Sequence, residues 1–281
     1  MESTILHRFS IDVPGVAPRT IYHFSDTHIA VCGTDAPLQE LERAQKANAA
    51  WERVRADFAR VYGEPCTPEQ IIPPQEHFTR LLRTSRGGDA LVLTGDIADY
   101  VSSGNLSFLC EKLADFPKRL VTVCGNHEKR ELLPEGFPGG AAEAVSCTDL
   151  GDMLLIGVDD SALEITPEMN AKLKYLLAAG KPTMLALHAP FITPESEPVL
   201  GKLDSYYILN RAGCSAENIR FIEMLLAPES PVFAVLAGHT HFHYEFTAGG
   251  HTKVFIASQG ILGNINRYDI NGGSEVKGGN E

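Results

Sequence analysis

Five short segments of the chain combine the residue types that bind divalent metal ions, and each segment follows a run of apolar residues. They hold Asp and Glu carboxylates, one Asn amide and five of the ten histidines. The segments are Asp26-Thr27-His28, Gly95-Asp96-Ile97-Ala98-Asp99, Gly125-Asn126-His127-Glu128, His188 and Gly238-His239-Thr240-His241. Oxygen and imidazole donors without cysteine suit borderline-hard divalent ions. Because these donors outnumber the ligands that one ion needs, the pattern predicts two ions that share a bridging carboxylate.

Each segment also has an ordinary structural interpretation. An Asp at a strand end commonly forms a turn or caps a helix, and a His there is often a hydrogen-bonded core residue. The metal interpretation is favoured because all five segments follow predicted strands, and open α/β sheets bind ligands at the carboxyl ends of their strands. The remaining histidines are expected to be structural or exposed. Among them only His243, which shares a strand face with His241, is expected near the site.

The elements that must position these segments form an α/β pattern. Apolar runs predict buried strands at Thr20–Phe24, Ala90–Leu93, Leu120–Val123, Met153–Val158, Thr183–Leu187 and Val232–Leu236. A further hairpin and strand are predicted at His243–Thr247, Lys253–Ala257 and Ile265–Ile270. Helical periodicity and end signals predict helices at 38–61, 74–86, Leu106–Leu113, Pro167–Ala179 and Ala216–Leu226. The sheet is therefore expected to be mixed or doubled.

The chain is expected to form a single domain over residues 1–271, with a mostly helical insert at 34–88 and a flexible tail at 272–281. The insert follows Asp26 and His28 in the chain, so it could cover the site as a partial lid. The favoured interpretation is that its stripe of apolar residues only packs against the rest of the protein. The loop from Ala189 to Cys214 is the best candidate for substrate contacts. An equally open alternative is that its aromatic residues only hold the loop against the protein surface. No individual substrate-binding residue is assigned.

Composition and charge narrow the classes of function. The 281 residues carry 24 Lys and Arg against 36 Asp and Glu, a net charge of -12. The chain therefore lacks the excess of positive charge by which proteins usually bind nucleic acid or anionic lipid without sequence specificity. Six scattered cysteines without a Cys-x-x-Cys pair fit reduced thiols. Because the N-terminus has no signal-peptide pattern and no apolar run is long enough to span a membrane, a cytoplasmic protein is expected.

The order of the motifs resembles that of the calcineurin-like metallophosphoesterase superfamily, and in particular its bacterial branch similar to cyclic-nucleotide phosphodiesterases. The motifs are D-x-H, G-D-x-x-D, G-N-H-E, an isolated H and G-H-x-H, all present in order between residues 26 and 241. The resemblance implies an α/β protein with a four-layer α/β/β/α sandwich of two mixed β-sheets. It places a dinuclear metal site at the carboxyl ends of the strands.

The resemblance also assigns roles to the motif residues. It makes Asp26, His28 and His241 ligands of the first ion. It makes Asn126, His188 and His239 ligands of the second ion, with Asp96 as the bridge. By the same resemblance His127 is a catalytic residue that does not bind metal. It protonates the leaving oxygen or stabilises charge at phosphorus, with Glu128 or Asp99 as its orienting partner.

The activity that the resemblance implies is hydrolysis of phosphoesters by a metal-activated water, without a covalent enzyme intermediate. The expected substrate is a small molecule such as a nucleotide, and the expected enzyme is a phosphodiesterase or a phosphatase. A nuclease and a non-catalytic scaffold that retains the fold are the alternatives. The cofactors are expected to be two divalent ions, Mn or Fe before Zn, although the donor types do not decide among these metals. No nucleic-acid or membrane partner is expected, and the oligomeric state is left open.

Overall fold

Eleven strands and six helices form in the part of the chain that the structure describes. In this computed structural model that part comprises residues 4–33, 36–62, 72–114, 116 and 119–273, with the backbone alone for 54–62. The strands are β1 (Ile5–Asp12), β2 (Arg19–Phe24), β3 (Ala90–Thr94), β4 (Arg119–Val123), β5 (Val145–Asp149), β6 (Leu154–Val158), β7 (Thr183–Ala186), β8 (Val232–Ala237), β9 (Tyr244–Ala248), β10 (Thr252–Ile256) and β11 (Asn264–Asn271). The helices are α1 (Leu38–Tyr62), α2 (Pro74–Ser85), α3 (Ser103–Ala114), α4 (Pro167–Leu177), α5 (Glu197–Leu200) and α6 (Ala216–Leu226).

The strands form two mixed sheets. The first has the order β1-β11-β2-β3-β4 and the second has the order β5-β6-β7-β8-β10-β9. Strands β2, β3 and β4 run parallel to one another, as do β6, β7, β8 and β10. Strand β11 is antiparallel to β2, while β5 and β9 are antiparallel edge strands of the second sheet. The parallel strands of each sheet therefore carry their carboxyl ends to a common edge.

Three layers of apolar side chains hold the sandwich together. Alternate residues of the strands face opposite sides, so Ile21 and Val92 pack between the sheets against Leu155 and Leu236 of the second sheet. The outward-facing residues of the first sheet pack against α2 and α3 through Phe24, Leu91, Leu93, Phe78, Leu81 and Leu109. Those of the second sheet pack against α4 and α6 through Ile156, Leu185, Val235, Leu173, Phe221 and Leu225. This order of layers confirms the predicted four-layer α/β/β/α sandwich.

The structure also contains strands that the sequence analysis does not predict. Both lie at sheet edges, where β1 pairs with β11 and β5 pairs with β6. Their residues alternate between half-buried, exposed and buried, so neither strand shows the continuous apolar run that identifies a central strand. The one-turn helix α5 lies inside the loop from Ala189 to Cys214 and is likewise unpredicted.

The predicted insert and tail are only partly described. Within 34–88 the structure contains α1 and α2, and residues 63–71 lie outside the described part of the chain. Of the tail at 272–281, only Gly272 and Gly273 are described. Among the described residues, no helix combines the length and the apolar character needed to cross a membrane.

Candidate metal centre

The five predicted segments meet at one edge of the sandwich, where the carboxyl ends of strands from both sheets lie together. A hydrogen bond links the two sheets, since His239 N donates to the Asp26 carboxylate at 3.0 Å. Within the second sheet, Gly238 N donates to His188 O at 2.9 Å. Asp26 N in turn donates to Gly95 O at 3.0 Å. Residues 213 positions apart in the chain are thereby brought into one site.

Asp26, His28 and His241 form the first group of potential ligands. His241 Nε2 lies 3.2 Å from Asp26 Oδ1 and 3.3 Å from His28 Nε2. The other ring nitrogen of His28, Nδ1, lies 3.6 Å from Asp99 Oδ1, so Nε2 is the nitrogen that His28 presents to His241. Two ring nitrogens and a carboxylate oxygen therefore converge on one point, a donor set that fits a divalent cation.

The second group consists of Asp96, His188 and His239. His188 Nδ1 lies 2.7 Å from the Thr94 carbonyl, which can only accept, so Nδ1 carries the proton. His188 Nε2 then points at Asp96 Oδ2 (3.3 Å) and at Asn126 Oδ1 (3.2 Å). A bare nitrogen facing two oxygen acceptors is unfavourable unless a proton or a cation lies between them. The arrangement therefore fits a metal ion with both nitrogen and oxygen ligands.

His239 is the third residue of this group. Whereas the ring of His188 donates through Nδ1, the ring of His239 donates through Nε2. Its Nε2 lies 3.0 Å from the carbonyl oxygen of Tyr206, so this nitrogen is the donor. Nδ1 is left with the lone pair that a metal requires. Hydrogen bonds from the second ring nitrogen to a backbone carbonyl are the usual way in which proteins orient metal-binding histidines.

The charges within the site shift the pKa values of these groups strongly. Burial raises the pKa of a carboxyl group, but His241 and His188 outweigh it at Asp26 and lower its pKa to about 2. Asp96, beside His188 and His28, has its pKa held well below the ordinary value despite burial. Burial lowers the pKa of His188, but Asp96 overcomes this effect and raises it to about 10. The two carboxylates are thus ionised, and the proton that Asp96 stabilises on His188 occupies the place where a divalent cation would bind.

The backbone is strained at the proposed ligands. Positive φ angles occur at Asp26 (55°), His28 (45°), Asp96 (49°), His239 (67°) and His241 (61°). Such a conformation costs roughly 1–3 kcal/mol at a residue other than Gly, and it concentrates at functional sites. Two flanking glycines have no room for a side chain, because a Cβ would lie 2.1 Å from Asp96 Oδ1 at position 125 and 1.9 Å from Ser25 Oγ at position 238.

His127 lies beside both groups but its ring is held differently. Its Nδ1 donates to the backbone oxygen of Asp99 at 2.9 Å and lies 3.3 Å from Asp99 Oδ1. One third of its side chain is exposed. Burial lowers the pKa of His127, but the contacts with Asp99 and the charge of Asp96 raise it to about 9. This raised pKa favours the imidazolium form, whose second proton lies on Nε2, a nitrogen that makes no hydrogen bond within the described part of the chain.

Of the two orienting partners weighed from the sequence, Asp99 is the one that contacts the His127 ring. Glu128 is buried and instead accepts three backbone hydrogen bonds: Oε2 from Asp96 N (2.9 Å) and Gly125 N (2.8 Å), and Oε1 from Ala98 N (2.7 Å). Burial and the charge of Asp96 raise the pKa of Glu128 to about 7, while the backbone donors oppose that shift. Glu128 thus fixes the loops that present Asp96 and Asn126.

We expect Glu128→Gln to lower the free energy of unfolding by about 2 kcal/mol, because the side-chain amide must turn its own N–H groups toward at least one backbone N–H. Urea denaturation of the two proteins measures the difference. The exposed neighbour Glu131, replaced by Gln, is the matched control and should change the stability by less than about 0.5 kcal/mol. Equal stability of wild type and Glu128→Gln would contradict this role.

Other contacts at the site are absent from the sequence analysis. Buried Asp160 accepts from His188 N (2.6 Å) and Ala189 N (2.8 Å), which anchors the segment that presents His188. Asp160 follows β6 directly, so the rule that polar residues at strand ends form the site could have identified it. His243 makes a different contact from the one expected, since its ring stacks on His7 with the centroids 4.9 Å apart.

The apolar stripe of the insert is described only in part: Ala44 is buried, as packing predicts, and the side chains of Val54, Phe58 and Val61 lie outside the described part of the chain. Leu38 is 68% exposed and Leu41 is 38% exposed. Trp51, on the same helix α1, instead contacts the site, with its ring centroid 3.9 Å from that of His28. The long loop from Ala189 to Cys214 contributes its Tyr206 carbonyl to His239, as described above.

The two-sheet sandwich and the paired carboxylate and imidazole groups at its strand ends define a protein of the metal-dependent hydrolase class. The sequence profile of the calcineurin-like phosphoesterases matches residues 19–243, and the chain belongs to this family. The family confirms the resemblance drawn from the motifs and supports metal-dependent hydrolysis of phosphoesters by divalent ions. No curated protein sequence matches the chain.

Two solved structures are similar to this chain at low sequence identity. A dimetal phosphatase from Danio rerio is 10% identical, with a TM-score of 0.55 over 86% of this chain and 88% of that protein. The phosphopantetheinyl hydrolase of Mycobacterium tuberculosis is 12% identical, with a TM-score of 0.42 over 86% of this chain and 90% of that protein. At this level of identity the first similarity establishes the fold alone.

Proposed function

We propose that this protein hydrolyses phosphoesters of small molecules such as nucleotides, with two divalent ions at the carboxyl ends of the strands. Asp26, His28 and His241 would hold one ion, while Asn126, His188 and His239 would hold the other. The observation that carries the proposal is the convergence of carboxylates with the ring nitrogens of His188 and His239, whose second nitrogens are held by backbone carbonyls. Asp96 is proposed as the bridge because it adjoins both groups: its Oδ2 lies 3.3 Å from His188 Nε2, and its backbone oxygen accepts from His28 N at 2.9 Å.

The residues of this chain would orient the catalytic histidine and donate a proton to the leaving oxygen. When bound, two such cations would provide the nucleophile at neutral pH, by lowering the pKa of water, and would neutralise charge on the phosphoryl oxygens. Asp96 Oδ1 accepts from His127 N at 2.9 Å, which fixes the catalytic histidine relative to the proposed bridge. Because Nδ1–H is committed to Asp99 O, His127 Nε2–H is free to protonate the leaving oxygen.

The surroundings of the site favour a small substrate. A cleft of about 420 Å³ adjoins Asn126, and Lys129 and Arg130 lie on its wall. This volume falls within the roughly 300–1,000 Å³ of ordinary small-molecule sites. The same wall carries Glu131, Asp159 and Glu164, and Arg130 is paired with Asp159 at 2.8 Å, so Lys129 is the side chain of this wall that offers a phosphate oxygen a partner. The net charge of -12 disfavours a long polyanion such as DNA.

Metal content and hydrolysis measured on the same sample test this proposal. Elemental analysis should find close to two divalent ions per chain, and a nitrophenyl monoester and diester assayed with added Mn²⁺ should show turnover. Chelation should abolish the activity and Mn²⁺ should restore it. Preference for the diester would identify a phosphodiesterase, and preference for the monoester a phosphatase. Metal-free protein without turnover on either ester would overturn the proposal in favour of a non-catalytic scaffold.

A further inference from the structure

The chain has one tryptophan, and it lies against the metal centre. Trp51 is half-buried on α1, and its ring stacks on that of His28 with 28° between the planes. Its Nε1 donates to Asp99 Oδ1 at 2.6 Å. Neither contact follows from the motifs, because Trp51 belongs to the insert that separates the first two of them.

The position of Trp51 is fixed by the way in which α1 attaches to the site loops. The Glu40 carboxylate accepts from Gly104 N at 3.1 Å, and the Arg43 guanidinium lies 3.9 Å from the centroid of the Tyr100 ring. One turn before the tryptophan, Asn48 Nδ2 donates to Ala30 O at 2.9 Å. Successive turns of the helix therefore bind segments that directly follow His28 and Asp99 in the chain, so the indole is held over both residues.

Asp99 is the residue through which Trp51 reaches the rest of the site. Asp99 Oδ1 lies 2.6 Å from the indole nitrogen, 3.3 Å from His127 Nδ1 and 3.6 Å from His28 Nδ1. The indole N–H can only donate, so it stabilises the one rotamer that places this oxygen between the two imidazoles. The Asp99 side chain is 16% exposed, and without the donor it can rotate toward water.

We propose that Trp51 is a positioning residue of the phosphoesterase site, which makes helix α1 of the insert a working part of that site. The indole N–H holds the Asp99 carboxylate against His127, and the indole ring covers the outer face of His28. The inference rests on the proposed function, because its consequence is proton delivery by His127 to the leaving group. A packing role alone would leave the chemistry of the leaving group untouched.

Trp51→Phe separates these two roles, because it retains an aromatic ring over His28 and removes only the N–H donor. The variant should lose about tenfold in kcat on an alkyl phosphoester, whose leaving group needs a proton, and less than about threefold on the nitrophenyl ester. KM and metal content should stay unchanged. Glu52→Gln, at the exposed neighbouring position on α1, is the matched control and should behave as wild type.

A double variant adds a second criterion. If Trp51 acts through His127, Trp51→Phe should cost nothing further in a His127→Gln background, whereas independent effects add. An equal loss on both esters, an additive loss in the double variant, or no loss at all would overturn the proposal. Wild-type protein inactive on every ester would instead count against the proposed function.

Tryptophan fluorescence gives a readout that does not depend on activity. All tryptophan emission comes from Trp51, so binding of paramagnetic Mn²⁺ by Asp26, His28 and His241 should quench it in step with metal uptake. Asp26→Asn, which removes one proposed ligand, should shift the quenching to higher Mn²⁺ concentrations. Emission that does not respond while elemental analysis shows bound Mn²⁺ would overturn the placement of Trp51 over this half of the site.

Discussion

Asp96→Asn is expected to strip the protein of most of its bound metal and to lower kcat/KM by roughly 10³-fold or more, since a proposed bridging ligand serves both ions. The amide retains the size and one oxygen of the carboxylate, but it removes the negative charge that faces His188 at 3.3 Å. Both carboxylate oxygens of Asp96 are in use, because Oδ1 accepts from His127 N and Oδ2 faces His188. The amide of Asn has only one oxygen, so one of these two contacts is lost. Elemental analysis and hydrolysis of both nitrophenyl esters measure the effect.

Asp149→Asn is a suitable control for the loss of one carboxylate. Asp149 is exposed, accepts from Gly151 N and pairs with Lys181 at 2.8 Å, so its replacement should leave metal content and turnover at the wild-type level. Thermal unfolding of both variants shows whether either has lost its fold. A folded Asp96→Asn protein that keeps two ions per chain and full turnover would contradict the proposed metal centre.

Six strands could be predicted because most of their residues are buried, including those of β4 at the edge of the first sheet. Strands β2, β3, β4, β6, β7 and β8 begin and end within about two residues of the apolar runs, since continuous burial requires continuous apolar sequence. The edge strand β1 could not be found in this way. It is stabilised by parallel pairing with β11, which joins Ile5 to Asn264, and such pairing between distant segments leaves no local pattern.

In the candidate site, too, local features could be predicted from the sequence, whereas contacts between distant segments could not. The sequence provides the ligand types and their order, because each motif follows its own strand. It does not provide the contacts that orient them. Trp51 reaches Asp99 from a helix 48 residues earlier in the chain, and the Tyr206 carbonyl fixes His239 across 33 residues. Both contacts depend on how an insert and a long loop fold over the strand ends, which residue periodicity does not encode.

The sequence identifies Glu128 as a residue of the site, but the role of its side chain is seen only in the structure. Its place directly after His127 in the motif suggests a partner for that imidazole. The side chain instead turns away and accepts backbone N–H groups from residues about 30 positions earlier. A buried carboxylate that satisfies several backbone donors is a common way to hold adjoining loops in one conformation.

His127→Gln is expected to leave the metal content unchanged and to lower kcat on an alkyl phosphoester by roughly 10²–10⁴-fold, the range typical for loss of a positioned general acid. The proposed ligands are other residues, so the ions should remain. The loss should be much smaller on the nitrophenyl ester, because nitrophenolate departs without a proton. Steady-state rates on both esters and elemental analysis of each sample measure the difference.

The contrast between the two esters distinguishes proton donation from charge stabilisation by His127. Because Nδ1–H is committed to Asp99 O, the proton of the imidazolium form that is available to the substrate lies on Nε2, so both roles use the same atom. A general acid is needed only where the leaving group is poor, whereas a cation that stabilises charge at phosphorus lowers the barrier for both esters. Equal losses on the two substrates would therefore assign His127 to charge stabilisation and would also remove the route by which Trp51 is proposed to act.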